Sequence, residues 1–180
     1  VLLGRPEATY ALGGPTPRIS WQLVDHRGDH VTHQHFELPL VLAIDALVGR
    51  VRIIDVNLLP PREVAPLNLP NYDDWVLREA LHNCVAHQDY AQGGRILVTE
   101  SPDTLRFFNY GEFLPGSVDK VLHAAQPEQR YRNACLANAM VELDLMETIN
   151  SGVKGMFRKQ RERFFPLPDY AIEGPPPSVS

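Results

Sequence analysis

A cluster of prolines near the middle of this 180-residue chain constrains its folding more than any other sequence feature. The prolines of this cluster are Pro60, Pro61, Pro66 and Pro70. Each of them fixes φ and lacks a backbone N–H, so the stretch cannot form a regular helix. We therefore place the main domain boundary here. The predicted division is residues 1–59, a domain over 60–173, and a disordered tail over 174–180.

Composition excludes several classes of protein. The chain is 44% apolar and 22% charged with a net charge of -5, and it has no apolar run near the roughly 18 residues of a membrane helix. Two cysteines, Cys84 and Cys135, cannot form a disulfide framework, and no signal peptide precedes them. We expect a cytoplasmic protein without a membrane partner. The start at Val1 and the proline-rich end suggest a fragment of a longer chain.

Hydrophobic periodicity and turn residues predict alternating helices and strands. The predicted strands cover 19–24, 30–36, 95–99 and 105–109, and another begins at 170–172. The predicted helices cover 40–54, from Asn71 or Asp73 to about 86, 118–125, 133–144 and 152–163. This mixture predicts a fold of the α+β class.

The predicted helix ending near residue 86 carries a polar stripe. Glu79, Asn83 and His87 follow at four-residue steps and share one face, whereas Arg78 and His82 point the other way. A carboxylate and a carboxamide one turn apart suit magnesium-nucleotide chemistry, because one oxygen can hold a hard cation while a carboxylate orients water. Spacing alone favours the simpler interpretation, a helix with a few polar residues at its border.

Four motifs resemble one known family. Residues 78–90 resemble the motif REA-xx-NA-xx-HRDY of the RecG-related transcriptional-regulator ATP-binding domain. The segments 105–116, 132–137 and 147–153 are similar to the NPG-x-LP-x-G, RNP-x-LA and E-xx-GSGI motifs of the same family. All four stand in the family's order. The family belongs to the superfamily of gyrase, heat-shock chaperone, histidine-kinase and mismatch-repair ATPases.

The resemblance implies a two-layer α/β sandwich of the Bergerat histidine-kinase-like ATPase type, with helices on one face of a mixed sheet. It implies that ATP and Mg²⁺ are the cofactors of the domain at 60–173. Glu79 occupies the position of the water-activating catalytic carboxylate, and Asn83 that of the magnesium-coordinating asparagine. His87 belongs to the same nucleotide-binding helix.

The other motifs imply further contacts with the nucleotide. Asn109 takes the position of an adenine-binding aspartate, and Gly111 and Gly116 would form a mobile lid. Ser151 and Gly152 would approach the phosphates at a helix start. Three residues depart from the family motifs: Gln88 replaces an arginine, Tyr110 replaces a proline, and Asn150 replaces a glycine.

The first six residues resemble the end of a Schlafen/AlbA-like module, in which LLFG-x-xP is common. The resemblance implies that residues 1–59 are a remnant of that module and that DNA is contacted only through its missing part. No P-loop is present, so the RecG label is no evidence for a helicase. The function implied is an ATP-binding, slowly hydrolysing domain of a transcriptional regulator. The alternative is a non-catalytic dimerisation or sensing module, which would act as a homodimer.

Rival sites have simpler explanations. In a strand, His33 and His35 face one side and His30 the other, so we expect surface histidines and not a metal site. Cys84 lies on the apolar arc of its helix and is expected to be inert. The basic residues of 152–163 are expected to favour the helix dipole without binding phosphate.

Overall fold

The computed structural model describes residues 2–4, 7, 16–61, 64–125, 131–146, 152–173 and 178–179. The strands are β1 (Ile19–Val24), β2 (His30–Phe36), β3 (Asp55–Leu58), β4 (Leu67–Pro70), β5 (Ile96–Glu100), β6 (Leu105–Tyr110), β7 (Ile172–Glu173) and β8 (Ser178–Val179). The helices are α1 (Leu40–Val48), α2 (Asp74–His87), α3 (Val118–His123), α4 (Ala134–Glu142) and α5 (Gly152–Glu162). Most of the predicted tail at 174–180 lies outside the described residues.

Six strands form one mixed sheet in the order β2-β1-β5-β6-β8-β7. β1 runs parallel to β5, and every other neighbouring pair is antiparallel. This arrangement confirms the predicted α+β class with a mixed sheet. The sheet also crosses the predicted boundary at residue 60, because β1 lies before that position and pairs with β5 after it.

The core lies between the inner face of the sheet and helices α1 and α2. Ile19 and Trp21 of β1 and Ile96 and Val98 of β5 point to this side and are almost completely buried. The helices contribute buried apolar side chains at helical spacing: Leu40, Ile44, Leu47, Leu81 and Val85. Burial of these faces removes apolar surface from water and so holds α1 and α2 on the sheet.

A polar contact is also buried in this core. The indole N–H of Trp21 donates to Oε2 of Glu100 at 2.9 Å, and Nε of Arg52 donates to Oε1 at 2.5 Å. Glu100 is only 2% exposed, and a buried carboxylate is tolerated when both oxygens accept hydrogen bonds. The contact joins the chain after α1 to the end of β5.

Helix α1 is shorter than the predicted helix 40–54. It ends at Val48, and the backbone N–H of Gly49 bonds to the carbonyl oxygens of Asp45 and Leu47. The following residues leave the helix, and Ile54 pairs with Asn71: the Asn71 N–H donates to Ile54 O at 2.8 Å and the Ile54 N–H donates to Asn71 Oδ1 at 3.0 Å. The apolar pattern that predicted helix up to residue 54 therefore extends beyond the helix itself.

The proline-rich stretch contains a strand that the sequence did not predict. β3 and β4 form a separate antiparallel pair, in which Asp55 lies opposite Pro70. Pro66 precedes β4 and Pro70 ends it, so neither lies in the interior of the strand. The described residues of this stretch, 60–61 and 64–70, contain no helix, as the prolines predict.

Helix α2 begins as one of the two proposed caps predicts. The Asp73 side chain accepts a hydrogen bond from the backbone N–H of Val76 at 3.1 Å, which satisfies one of the free amides of the first turn. Asn71 bonds to Ile54 instead and takes no part in the cap. None of the helices in the described residues combines the length and apolar character that crossing a bilayer requires.

His82 lies on the side of α2 away from the polar stripe, as the helical spacing predicts, but this side is not exposed to solvent. His82 is 6% exposed, because α1 packs on the side of α2 opposite the polar stripe. Arg78 on the same side forms salt bridges with Asp45 of α1 and with Asp74. Burial lowers the pKa of His82 to about 4; the nearby Arg78 also lowers it, and Asp45 opposes the shift. The imidazole is therefore neutral in the folded protein at pH 7.

This burial predicts a pH-dependent loss of stability. Below pH 6.5 the unfolded imidazole binds a proton that the folded one does not bind until about pH 4, so stability falls with pH across that window. His82 alone should remove roughly 2 kcal/mol between pH 7 and pH 5. In His82→Leu this loss should be absent when unfolding free energies are measured in urea at both pH values.

The exposed His26 supplies the control, since His26→Leu should keep the pH dependence of the wild type. A His82→Leu variant with wild-type pH dependence would show that His82 protonates freely in the folded state.

Candidate functional site

The polar stripe of α2 forms the centre of the candidate site. Nδ2 of Asn83 donates to Oε1 of Glu79 at 2.9 Å and to the Glu79 backbone oxygen at 2.7 Å. Glu79 is 6% exposed although it carries a carboxyl group. The helix thus places the predicted carboxylate and carboxamide side by side, and the amide of Asn83 fixes one carboxylate oxygen.

The start of α5 lies directly against Glu79. A Cβ atom added to Gly152 would lie 1.5 Å from Oε1 and 2.3 Å from Cδ of Glu79. Only glycine leaves room for the carboxyl group at this point. The structure therefore brings Glu79, Asn83 and Gly152 together, whereas Ser151 and the divergent Asn150 lie outside the described residues.

Contacts along α5 hold it on α2. Gly155 packs against Trp75, where a Cβ would lie 2.5 Å from the ring. Nζ of Lys159 donates to Oδ1 of Asp73 at 3.2 Å and lies 5.2 Å from the centre of the Trp75 ring. Nζ of Lys154 donates to the carbonyl oxygen of Ala124 at 2.6 Å. These basic groups have partners within the protein, which favours their interpretation as stabilising residues.

His87 lies at the other end of the stripe. Its ring stacks on Tyr131, with ring centroids 5.7 Å apart. Burial lowers the pKa of His87, and the charge of Arg132 lowers it further, so the imidazole is neutral at pH 7. His87 therefore packs against the segment before α4.

Sequence reasoning missed the role of Asn133. Its Nδ2 donates to the carbonyl oxygens of Ala86 at 3.0 Å and Gln88 at 2.8 Å, two backbone acceptors at the C-terminal end of α2. The signal was present, because Asn133 stands in the motif at 132–137. That motif therefore has a structural role in addition to any contact with a ligand.

Gln88, at the end of α2, bonds to β6, which also carries Asn109. Oε1 of Gln88 accepts a hydrogen bond from the backbone N–H of Tyr110 at 3.0 Å, so this departure from the family motif supports the sheet. Asn109 is 7% exposed and lies on the strand face that points towards the helices. Its Nδ2 donates to the Tyr110 carbonyl oxygen at 3.1 Å.

The two glycines predicted in the lid both have positive φ. Gly111 has φ +128°, and a Cβ there would lie 2.9 Å from the carbonyl oxygen of His87 and from Nε of Arg132. Gly116 has φ +82° and donates its N–H to the carbonyl oxygen of Phe113 at 2.8 Å. Gly111 therefore permits close packing on α2, and Gly116 permits the turn before α3.

Tyr170 is a residue near the site that no sequence pattern indicated. Its ring stacks on Phe157 of α5 and contacts Phe113, with centroids 6.4 Å and 6.0 Å away. Burial raises the pKa of the Tyr170 phenol, and the nearby Cys84 and Glu79 raise it as well. The segment before β7 thus packs beside the candidate carboxylate.

The structure does not favour a thiol nucleophile at Cys84. Burial raises the pKa of the Cys84 thiol to about 12, so it is the inert core residue that its position in the helix predicted. Among the described residues, no group of three histidine, cysteine, aspartate or glutamate side chains is arranged to hold a metal ion.

The contact between Glu79 and Gly152 predicts strong coupling between these positions. Gly152→Ala should lower the free energy of unfolding by about 1–3 kcal/mol, because the new methyl group displaces the carboxyl group or the helix start. In a Glu79→Ala background the same change should cost much less. Urea denaturation of the four proteins of this double-mutant cycle measures the coupling.

Gly49→Ala is the matched control. Its nearest neighbour would lie 3.5 Å from the added Cβ, and its φ is -66°, so we expect no loss of stability. Equal costs of Gly152→Ala with and without the Glu79 carboxyl group would contradict the contact.

The chain is similar to known proteins in sequence and in fold. Residues 93–176 match the family described as "Putative ATP-dependent DNA helicase recG C-terminal". The match includes Asn109, Gly111, Gly116 and Gly152, but it begins after α2, so the placement of Glu79 and Asn83 rests on the structure and on the motif at 78–90. No curated protein matches the chain.

The fold is similar to that of the DIP2311 protein from Corynebacterium diphtheriae, with a TM-score of 0.71 and 18% sequence identity. The similarity covers 92% of this chain and 34% of that protein, so this chain spans about one third of its length. At this identity the similarity concerns the fold alone. Together, the family match and the fold support an ATPase-like domain with a mixed sheet and helices.

Proposed function

We propose that this domain binds ATP with Mg²⁺ between α2, the segment from Asn109 to Gly116 and the start of α5, and that it hydrolyses ATP slowly. The observation that carries the proposal is the convergence of Glu79, Asn83 and Gly152. This convergence brings together a carboxylate that can activate water, a carboxamide oxygen that can bind a cation, and a helix start whose N–H groups can bind phosphate.

Glu79 is the proposed general base. Its carboxylate would accept a proton from the water that attacks the terminal phosphate. The side-chain N–H of Asn83 donates a hydrogen bond to Oε1 of Glu79, and the carboxylate is largely buried. Both features hold the carboxylate in one orientation. Asn83 is thereby a positioning residue for Glu79 as well as a ligand candidate.

The donor set near Glu79 fits a magnesium ion bound mainly through phosphate. Mg²⁺ usually takes only one or two protein oxygens and completes its shell with water and phosphate. Asn83 uses its nitrogen on Glu79, which leaves Oδ1 as the atom to coordinate the ion. When bound, the ion would neutralise the charge that develops on the phosphates.

In this proposal, β6 contributes the contact with adenine and the start of α5 contributes the contact with phosphate. Asn109 is nearly buried on the helix-facing side of β6, where a carboxamide can both donate to and accept from a purine edge. Gly152 begins an eleven-residue helix, whose first backbone N–H groups favour an anion. Ser151 and His87 complete the set of nucleotide-binding residues that we propose.

In this proposal the nucleotide switches a transcriptional regulator. DNA would be contacted through an N-terminal Schlafen/AlbA-like module. The nucleotide domain would report the ATP state to that module through the residues before position 60, whose strands β1 and β2 belong to the same sheet as β5 and β6.

The burial of Glu79 supports a second function, that of a module without catalytic activity. The carboxylate is 6% exposed, and Asn83 and Gly152 both lie against it, so access by water needs a movement of α5. A non-catalytic dimerisation or sensing module with the same fold would keep such a closed arrangement. It would bind nucleotide without turnover or would form a homodimer without nucleotide.

Replacement of Glu79 separates these functions. Glu79→Ala should leave the affinity for Mg-ATP largely intact in calorimetric titrations and slow phosphate release by about 100–10,000-fold, the range for loss of a general base. Glu142→Ala, a change of an exposed glutamate at the end of α4, should leave both quantities unchanged. Equal turnover in the wild type and in Glu79→Ala would remove Glu79 from the mechanism, and binding without turnover by the wild type would support the non-catalytic module.

The charge of the chain predicts weak contact with DNA in the absence of the upstream module. With a net charge of -5, the chain should bind duplex DNA no better than in the micromolar range at physiological salt. Fluorescence anisotropy with labelled duplexes of different sequence measures this affinity. Tight and sequence-selective binding would show that DNA recognition lies in this domain.

A further inference from the structure

Three histidines of β2 form one row, although strict alternation places His30 on the opposite side from His33 and His35. The pairing of β1 with β2 contains a bulge: Leu23 lies opposite Thr32, but Val24 lies opposite His30. Val31 is therefore an extra residue, which shifts the alternation by one position. The ring centroids of His30 and His33 lie 5.1 Å apart, as do those of His33 and His35.

The row lies on the open side of the sheet. β2 is an edge strand, and all three imidazoles are exposed. His33 and His35 pair with Gln22 and Ser20, which alternate with the buried Trp21 and so face away from the helices. The row is therefore separate from the candidate nucleotide site on the other face.

One ring of the row is already oriented. Nδ1 of His35 shares a hydrogen bond of 2.9 Å with Oγ of the buried Ser20. Such a bond fixes the plane of an imidazole and leaves its Nε2 as the nitrogen that can bind a ligand from solvent. This is the arrangement usual for histidines that bind metal ions in proteins.

We propose that two neighbouring imidazoles of this row, His33 with either His30 or His35, bind one divalent transition-metal ion such as Zn²⁺ or Cu²⁺. Metal–nitrogen bonds of about 2.0–2.1 Å place the centroids of two imidazoles on one tetrahedral ion about 5 Å apart. The observed spacing of 5.1 Å agrees with this value. Since no three ligand groups of the described residues already surround one point, water completes the coordination.

The charges around the row determine the kind of ion and the affinity. Two arginines, Arg95 and Arg18, and one carboxylate, Glu37, act electrostatically on His35. A metal ion binds the neutral form of an imidazole. The two arginines also repel a cation, so binding should be weaker than at a structural zinc site. Neutral nitrogen ligands select transition metals over Mg²⁺.

Calorimetric titration of the chain without a histidine tag tests the site. At pH 7.5 we expect one equivalent of Zn²⁺ to bind, Cu²⁺ to bind more tightly as the usual order of divalent metals predicts, and Mg²⁺ to give no signal. Electron paramagnetic resonance of the Cu²⁺ complex should show coupling to at least two nitrogen ligands.

His33→Ala removes the shared ligand and should weaken Zn²⁺ binding at least tenfold. The matched control is His26→Ala, a change of an exposed histidine in the turn between β1 and β2, which should keep wild-type affinity. Both substituted side chains are exposed, so circular dichroism and thermal melting should match the wild type. Equal Zn²⁺ affinity in His33→Ala and the wild type, or no binding by the wild type, would overturn the proposal.

Discussion

The close approach of α5 to the Glu79 carboxyl group is the constraint on which the candidate site depends. Gly152 leaves no side chain where the carboxyl group lies, and Asn83 holds the same group from its own helix. Gly155 against Trp75 and Lys159 on Asp73 keep the two helices in this position. A carboxylate, a carboxamide and a helix start thus meet at one point because small residues let two helices approach closely.

The other elements of the fold hold α2 in the position in which Glu79 contacts α5. Its inner side packs on the sheet, one flank is covered by α1, and its C-terminal end is bound by Asn133 and Gln88. These contacts leave the stripe of Glu79 and Asn83 as the side that meets α5. Elsewhere in the core, the contact of Glu100 with Trp21 and Arg52 joins segments that are distant in the sequence.

Both faces of the sheet carry polar chemistry of different kinds. The helix-facing side holds the proposed nucleotide site, in which oxygen atoms and backbone N–H groups would bind magnesium and phosphate. The open side holds a row of imidazole nitrogens at the edge strand, whose preference is for softer metals. The two proposals use separate residues and separate readouts, so each can fail without the other.

Strand bounds, helix capping and the face on which side chains lie could be predicted from the order of the residues alone. The bounds of β1 and β2, the capping of α2 by Asp73 and the shared face of Glu79 and Asn83 all follow from periodicity and from residue type, because these properties depend on neighbours within a few positions. The motif resemblance added the mixed sheet and the ATPase-like fold, which the structure and the family match support. The roles of the site residues stay predictions.

The packing of the elements on one another sets which of their surfaces are covered. His82 lies opposite the stripe, yet it is buried because α1 packs there, and Ile54, beyond the end of α1, pairs with Asn71. The bulge at Val31 reversed the side predicted for His30, since one extra residue in a strand moves all earlier side chains to the other face. The position of Gly152 on Glu79 depends on how two helices pack. No local pattern contains that information, because periodicity specifies the face of an element and not the partner that covers it.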